Sequence, residues 1–462
     1  MALKVGGNQK FLSTANGKPA LYGSGGGVAA DLLDKDSLNF TSEVAAEGYG
    51  FTPEYLYAPP SPNGNGFIGQ AAIATGHGLI AVGTETKRVH VYDAEAVVES
   101  QENPDALLYT IDKSTDPNIS THFGDRGNFT NQGIIIAEGQ IIVADNRWPL
   151  SGGDNGRIFV FNLDGTDKFQ IAARNTSSGN SGNIYFGSVI AAGCGKIVTA
   201  PQLPDDRFYI YEKDGTFVKE VTMPLDPVDN DNFSPFNGSI AIGDNMIVVS
   251  SYQSPNGGNN NSNGGAWVYD LDGNLLMSLP CPDNDVAGDR YGYHCAIGEG
   301  VIAITAPDAT HVLEANETGS GYQGRIYLFD YHGKHFKTLK HFNRAGDISS
   351  NGFRSVFIDG GRIYGTDSSV LIDSDLSVPI AGFEFPLYLG GIAVWDLEGG
   401  TIGYIRPDDY GNNNFGRSAS VKDGFAAIQG NYVTMTPTGA LAVKVKNVST
   451  PTGLRKSILG NF

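Results

Sequence analysis

Short apolar runs alternate along this chain with Gly-rich and polar breaks, and the alternation itself repeats. An opening aromatic with Gly close by, an apolar run, a tight turn and a second apolar run recur seven times. The opening aromatics are Phe67, Phe123, Phe186, Phe236, Tyr291, Phe353 and Phe415, and their numbers differ by 50 to 63 residues. Runs of five or six residues with period-two alternation are strand-like, since alternate strand residues share a face. A repeat this long, with four short strands per unit, predicts an all-β seven-bladed β-propeller of four-stranded antiparallel blades.

The four strands of each unit are named A to D outward from the axis. Six C strands carry an aromatic at one position: Tyr92, Phe161, Tyr211, Tyr269, Phe329 and Trp395. The residue two earlier is mostly large as well, so this face is expected to pack between adjacent blades rather than to hold a ligand. Asp-Gly pairs such as Asp164-Gly165, Asp214-Gly215 and Asp272-Gly273 follow strand C, and a type I′ hairpin turn is expected there. The last unit lacks a strand D. Residues 54–69 follow the plan of a strand D and its outgoing link, so Tyr55–Ala58 is expected to pair with Ala440–Val445. That would close the ring and remove its free sheet edges. The organisation read from this is an extended docking arm over residues 1–50, the propeller over 51–449 and a tail over 450–462.

Composition narrows the functional classes. No apolar run approaches the roughly 18 residues needed to span a bilayer, so membrane insertion is not expected. The opening residues hold no continuous apolar stretch of the kind a secretory leader requires. A formal charge of -19 argues against nucleic acid as a partner, which calls for clustered Lys and Arg. Cys194, Cys281 and Cys295 are too few and odd in number for a disulfide framework, and are read as free thiols packed as small hydrophobes.

The A–B turns are short, whereas the B–C loops are long and unlike one another, which marks their face as the place for recognition. Candidate binding residues there are Trp148 in the second unit and Phe383, Phe385 and Tyr388 in the sixth, aromatics that could stack on sugar rings. Burial of the same rings as loop anchors is the competing reading. Links from D to A on that face add acidic groups: Asp226, Asp229 and Asp231, then Asp283, Asp285 and Asp289, then Asp408 and Asp409. Asp283, Asp285 and Asp289 are the nearest approach to a metal site, against a solvated acidic loop; no metal or other cofactor is expected.

The opening aromatics, the TAP and ITAP ends of strand B and the RIYLFD type of strand C resemble FG-GAP-like seven-bladed propellers, over about residues 54–449. Units ending in YDLDGN or FNLDGT, with the opening MALKVGG and KFLSTANGKPALYG, resemble virion structural and appendage proteins of tailed phages, particularly those of cyanobacteria. Calcium sites of integrin-like FG-GAP domains do not carry over, because the A–B turns here have too few carboxylates. Catalytic motifs of the GxSxG, HExxH, CxxC and Walker types are absent, as is the Asp-box of sialidase propellers. His332 and His335 fall in a C–D hairpin, and His294 and Cys295 are neighbours that point to opposite faces. The resemblance implies a non-enzymatic part of a phage virion, on the tail or another exposed appendage, assembled in the host cytoplasm. It would dock on other virion proteins through residues 1–50 and present one propeller face to a surface or receptor, a host glycan or protein. The alternative is a carbohydrate- or cell-surface-binding lectin outside a phage context, with a propeller glycosidase behind it.

Overall fold

The computed structural model describes residues 4–5, 9–13, 19–22, 49–56, 72–84, 87–99, 106–120, 123–124, 133–147, 155–173, 185–201, 206–224, 238–252, 264–282, 289–309, 324–340, 352–367, 377–380, 383–386, 391–405, 412–413, 419–432 and 439–445. Six four-stranded antiparallel sheets form its blades. Blade 1 is Ile73–Gly76, Leu79–Thr84, Arg88–Asp93 and Leu107–Asp112. Blade 2 is Ile134–Ala137, Gln140–Asp145, Arg157–Asn162 and Asp167–Ala172. Blade 3 is Val189–Gly193, Lys196–Ala200, Arg207–Glu212 and Phe217–Thr222. Blade 4 is Ile240–Gly243, Met246–Ser251, Gly265–Asp270 and Leu275–Leu279. Blade 5 is Cys295–Gly298, Val301–Ala306, Arg325–Phe329 and His335–Leu339. Blade 6 is Ser355–Asp359, Arg362–Asp367, Gly391–Asp396 and Thr401–Ile405. No helix among the described residues is long and apolar enough to cross a membrane.

One cross-strand pair recurs in every blade. An Ile on strand B stands opposite the strand C aromatic: Ile80 and Tyr92, Ile141 and Phe161, Ile197 and Tyr211, Ile247 and Tyr269, Ile302 and Phe329, Ile363 and Trp395. All of these side chains are buried. The opening aromatic of a blade packs edge-on against a strand C ring of the same blade, at this position or two residues earlier: Phe123 on Phe159 at 5.5 Å, Phe186 on Tyr209 at 5.9 Å, Tyr291 on Tyr327 at 5.5 Å and Phe353 on Trp395 at 5.3 Å. Such edge-to-face pairs add about 0.5–1.5 kcal/mol each to the burial itself. Every apolar cluster combines residues of two neighbouring sheets, so the core consists of the spaces between blades. The expected packing layer is therefore present.

The turn chemistry differs from expectation. Type I′ geometry, with two successive positive φ angles, belongs to the A–B turns: His77-Gly78, Glu138-Gly139, Cys194-Gly195, Asp244-Asn245, Glu299-Gly300, Gly360-Gly361 and Asp423-Gly424. In the C–D turns only the Gly has positive φ, as at Gly165, Gly215 and Gly273. Gly215 donates its N–H to the Glu212 carbonyl at 2.9 Å, Glu212 donates to the Thr216 carbonyl at 2.8 Å, and the register of strands C and D shifts between Ile210 and Tyr211. That is a three-residue loop, a type I turn closed by a Gly bulge. The Gly has a second reason to be there. A Cβ on Gly165 would lie 2.6 Å from the Tyr109 ring, on Gly215 2.7 Å from Phe169, on Gly273 2.6 Å from Val221 and on Gly399 2.6 Å from Lys337. In each case the atom met belongs to strand D of the preceding blade. Blade 1 has no such turn; the helix Ala94–Glu99 stands between its strands C and D, with the Asp93 carboxylate accepting the Ala96 N–H at 2.8 Å as an N-cap.

Between blades 6 and 1 lies a sheet built differently. It comprises Ala419–Lys422, Phe425–Tyr432, Gly439–Val445 and Tyr49–Leu56, with Asn412–Asn413 as a fifth strand. The expected seven four-stranded blades are thus six, plus this five-stranded sheet. The reason is the length of Phe425–Tyr432: its last residues run past the inner strand and pair Tyr432 with Asn412 and Asn431 with Asn413. The outer strand does come from the N-terminal part of the chain, with Ala440 opposite Leu56, Leu441 opposite Tyr55 and Val445 opposite Tyr49. It spans Tyr49–Leu56, so the expected pairing is present at Tyr55 and Leu56 and extends back to Tyr49, whereas Tyr57 and Ala58 lie outside the described residues. The inner strand lies beside those of blades 6 and 1, and Ser420 Oγ accepts the Thr75 N–H at 3.0 Å. Within the expected arm, Lys4–Val5, Gln9–Ser13 and Pro19–Tyr22 form a small antiparallel sheet of their own, and the remaining residues before Tyr49 lie outside the described residues. Alternation in KFLS and ALYG, with Asn16-Gly17 between them, suits a hairpin. The tail 450–462 lies outside the described residues.

These contacts separate two costs of replacing glycine. Gly139→Ala meets nothing within 4 Å and has φ +71°, so it should cost only the left-handed backbone, about 1–2 kcal/mol. Gly273→Ala has φ +74° and a Cβ 2.6 Å from Val221, and should cost at least 1 kcal/mol more through the clash. Denaturant midpoints of the two variants check this; equal losses would mean that the blades do not meet at the C–D turn.

Candidate functional site

The two faces of the ring differ in how their connections are held. On the A–B face, polar groups of one turn bind the backbone of the next. Asp359 accepts the Asp423 N–H at 3.1 Å and the Gly424 N–H at 2.9 Å, Asp423 accepts the His77 N–H at 2.7 Å, and the Gly139 N–H donates to His77 Nε2 at 3.2 Å. Glu299 accepts the Gly361 N–H at 2.8 Å, and the Tyr331 hydroxyl bridges the Asp244 carboxylate and the Gly300 N–H. Groups that already bind a neighbouring turn are poorly placed to meet a partner. On the opposite face the B–C connections run from Asp145 to Arg157, Ser251 to Gly265, Ala306 to Arg325 and Asp367 to Gly391. Recognition has room there.

A charged and aromatic cluster sits on this long-loop face where blades 4 and 5 meet. Tyr252 follows strand B of blade 4, Arg290 and Tyr293 precede strand A of blade 5, and Asp308 follows its strand B. The Tyr252 and Tyr293 rings are 5.3 Å apart with a 35° tilt. The Arg290 guanidinium lies 5.8 Å from the Tyr252 ring centre, and its Nε donates to Asp308 at 2.9 Å. Burial pushes the Asp308 carboxyl above the ordinary carboxylate range, against the opposing pull of Arg290 and Arg354. Arg290 is held at φ +54°, an unusual conformation for a long side chain. Its side chain is 45% exposed, while that of Asp308 is 12% exposed. The cluster therefore presents a guanidinium with one edge on a buried carboxylate and the other toward solvent, beside a half-buried phenol. This can receive a hydroxylated or planar group by stacking and charge-assisted hydrogen bonds. Arg147 and Tyr185 form a related pair between blades 2 and 3 at 5.7 Å, with the ring and the cation exchanged.

The residues singled out from sequence are placed unevenly. Phe383 and Phe385 lie on a hairpin of Ser377–Ile380 and Phe383–Pro386 within the blade 6 B–C connection. Its register sets Ile380 opposite Phe383 and Val378 opposite Phe385. Trp148 and Tyr388 lie outside the described residues, as do Asp226, Asp229, Asp231, Asp283, Asp285, Asp408 and Asp409. Asp289 is buried next to the cluster, its carbonyl accepting the Asp308 N–H at 3.2 Å. Tyr252, Arg290, Tyr293 and Asp308 were missed by sequence reasoning. What sets them apart in sequence is position: each flanks an inner strand at its long-loop end.

His294 and Cys295 do diverge. His294 Nδ1 accepts the Val356 N–H of blade 6 at 3.3 Å, whereas Cys295 contacts the Ser239 hydroxyl of blade 4 at 3.2 Å. Burial pushes the Cys295 thiol up to about 11 and the His294 imidazole down to about 4. Cys194, Cys281 and Cys295 are free thiols. His332 is exposed, while His335 is half-buried and lies 5.5 Å from the Phe329 ring.

The His294 shift has a definite sign. Unfolded imidazole takes up its proton near pH 6.5 and the folded one only near pH 4, so acidification across that window favours the unfolded chain. Stability should fall from pH 6.5 to pH 4 by on the order of 3 kcal/mol from this group. His294→Gln should flatten that slope in a denaturant series at several pH values. An unchanged slope would show that His294 is not the group responsible.

No protein-family model matches the chain, and no curated protein matches it either. Among solved structures, it is similar to the computationally designed Ika8 protein, at 12% identity and a TM-score of 0.41, over 80% of this chain and 96% of that one. The propeller assignment rests on the sheets themselves.

Proposed function

We propose that the chain is a non-enzymatic recognition propeller, a structural component of a phage virion on the tail or another exposed appendage. In this reading the sheet between blades 6 and 1 serves as the seventh blade, the residues before it dock on other virion proteins, and the long-loop face meets a surface or receptor. The observation that carries the recognition part is the asymmetry of the ring: one face stitched turn to turn, the other with long connections around Tyr252, Arg290 and Asp308. The virion setting rests on the resemblance of the repeat endings and the opening residues to phage appendage proteins. Purified particles of the source phage should label with immunogold against this chain, and removal of residues 1–50 should abolish its incorporation. Absence of label would remove the virion setting and leave the recognition face.

The same cluster favours a second reading, a carbohydrate-binding propeller outside a phage, because a ring beside a guanidinium and a carboxylate suits a sugar. Immobilised full-length protein should retain particular glycans from an array. Arg290→Asn keeps a residue type that tolerates positive φ, so it should weaken that retention at least tenfold while the chain stays folded, with some loss of melting temperature from the unpaired Asp308 carboxylate. Equal retention by the variant would place binding elsewhere on the face.

A further inference from the structure

In each of the six blades strand D follows its own strand C in sequence, so neither can leave without breaking a local connection. The closing sheet is different. Its strand C, Gly439–Val445, and its outer strand, Tyr49–Leu56, come from opposite parts of the chain and are joined by no turn. The seat for the outer strand is built without it. Phe425–Tyr432 holds Gly439–Val445 from the inside, and the helix Ala94–Glu99 lies against both Gly439–Val445 and Tyr49–Leu56. That helix stands where the other blades have a tight C–D turn, so a dedicated element of blade 1 flanks the closure.

We propose that this outer edge is a strand-exchange seat, which takes Tyr49–Leu56 of a second copy of the chain as well as its own. The inference rests on the reading of the N-terminal residues as a docking segment, and it names what they dock on. An exchanged strand would bring the same register, Leu56 opposite Ala440 and Tyr49 opposite Val445. The pairing is therefore the same within a copy and between copies, and the balance is set by linker length against the local concentration of copies. Residues 57–71 connect the strand to blade 1 and include Pro59, Pro60, Pro62, Gly64 and Gly66. Fully extended, this link of 15 residues reaches about 50 Å, which bounds how far an exchanging copy can stand. Reciprocal exchange gives a two-fold pair, and one-way exchange gives a ring or a file of copies.

Cysteine trapping in the full-length chain tests this. Glu54 stands opposite Ala442. Glu54→Cys and Ala442→Cys chains, unfolded together, refolded at high concentration and oxidised, should give a disulfide-linked dimer that neither variant gives alone. The single variants control for Cys194, Cys281 and Cys295. The double variant Glu54→Cys/Ala442→Cys, refolded dilute, should close within one chain. Tyr55→Cys with Leu441→Cys repeats the test one register position along, should the first pair disturb folding. If the double variants close within one chain and the mixtures give only the single-variant background, exchange does not occur. If neither pair closes at all, the seat itself is wrong. Particle incorporation of the truncated chain reads docking separately, so exchange can fail while docking stands.

Discussion

Everything in this ring depends on how closely the backbone of one sheet can approach the sheet before it. Glycines at the C–D turns of blades 2, 3, 4 and 6, and Gly292 before blade 5, mark that distance. The Gly of the C–D turn lies on the outer strand of the preceding blade, with no room for a methyl group at Gly165, Gly215, Gly273 or Gly399. The Gly after the opening aromatic does the same on the inner side: a Cβ on Gly292 would lie 2.6 Å from the carbonyl oxygens of Ser251 and Gly265 in blade 4. Between these two points the aromatic and Ile side chains fill the wedge. The apolar clusters occupy the spaces that this spacing leaves between neighbouring sheets.

Closure has its own logic. A ring of sheets must end where it began, and here the last sheet is completed by a strand from near the start of the chain. The hydrogen bonds that the Asp423 and Asp359 carboxylates accept from neighbouring turns continue across that junction, so the inner rim treats the sheet as one more member. The outer rim does not: its strand is held by pairing and by the helix of blade 1. The junction is continuous at the axis and separable at the edge.

Much of this was legible in the sequence because period-two patterns mark strands and because the same aromatic returned at Tyr92, Phe161, Tyr211, Tyr269, Phe329 and Trp395. The closing strand was legible because EYLYAPPSPNGNGFIG copies the plan of a strand D with its link. Turn type was not, since Asp-Gly serves both a type I′ turn and a type I turn with a Gly bulge, and the choice depends on the register of the flanking strands. The fifth strand escaped because Asn412 and Asn413 carry no strand preference of their own. The cluster at Tyr252, Arg290 and Asp308 escaped for a different reason. Its members come from two blades, and only the stacking of those blades brings them together.

The separation of the core into wedges between neighbouring sheets has a consequence for variation. In a protein with one central core, lengthening a loop risks disturbing every element that shares it. Here the connection from Asp367 to Gly391 can hold a whole hairpin while the wedge between blades 2 and 3, built on Ile158, Phe186 and Tyr209, takes no part in it. Insertions on the long-loop face are thus confined to the pair of sheets they leave, and each connection behaves as an interchangeable cassette on a common chassis. Such a molecule can change what it meets, one blade at a time, without relearning how to fold.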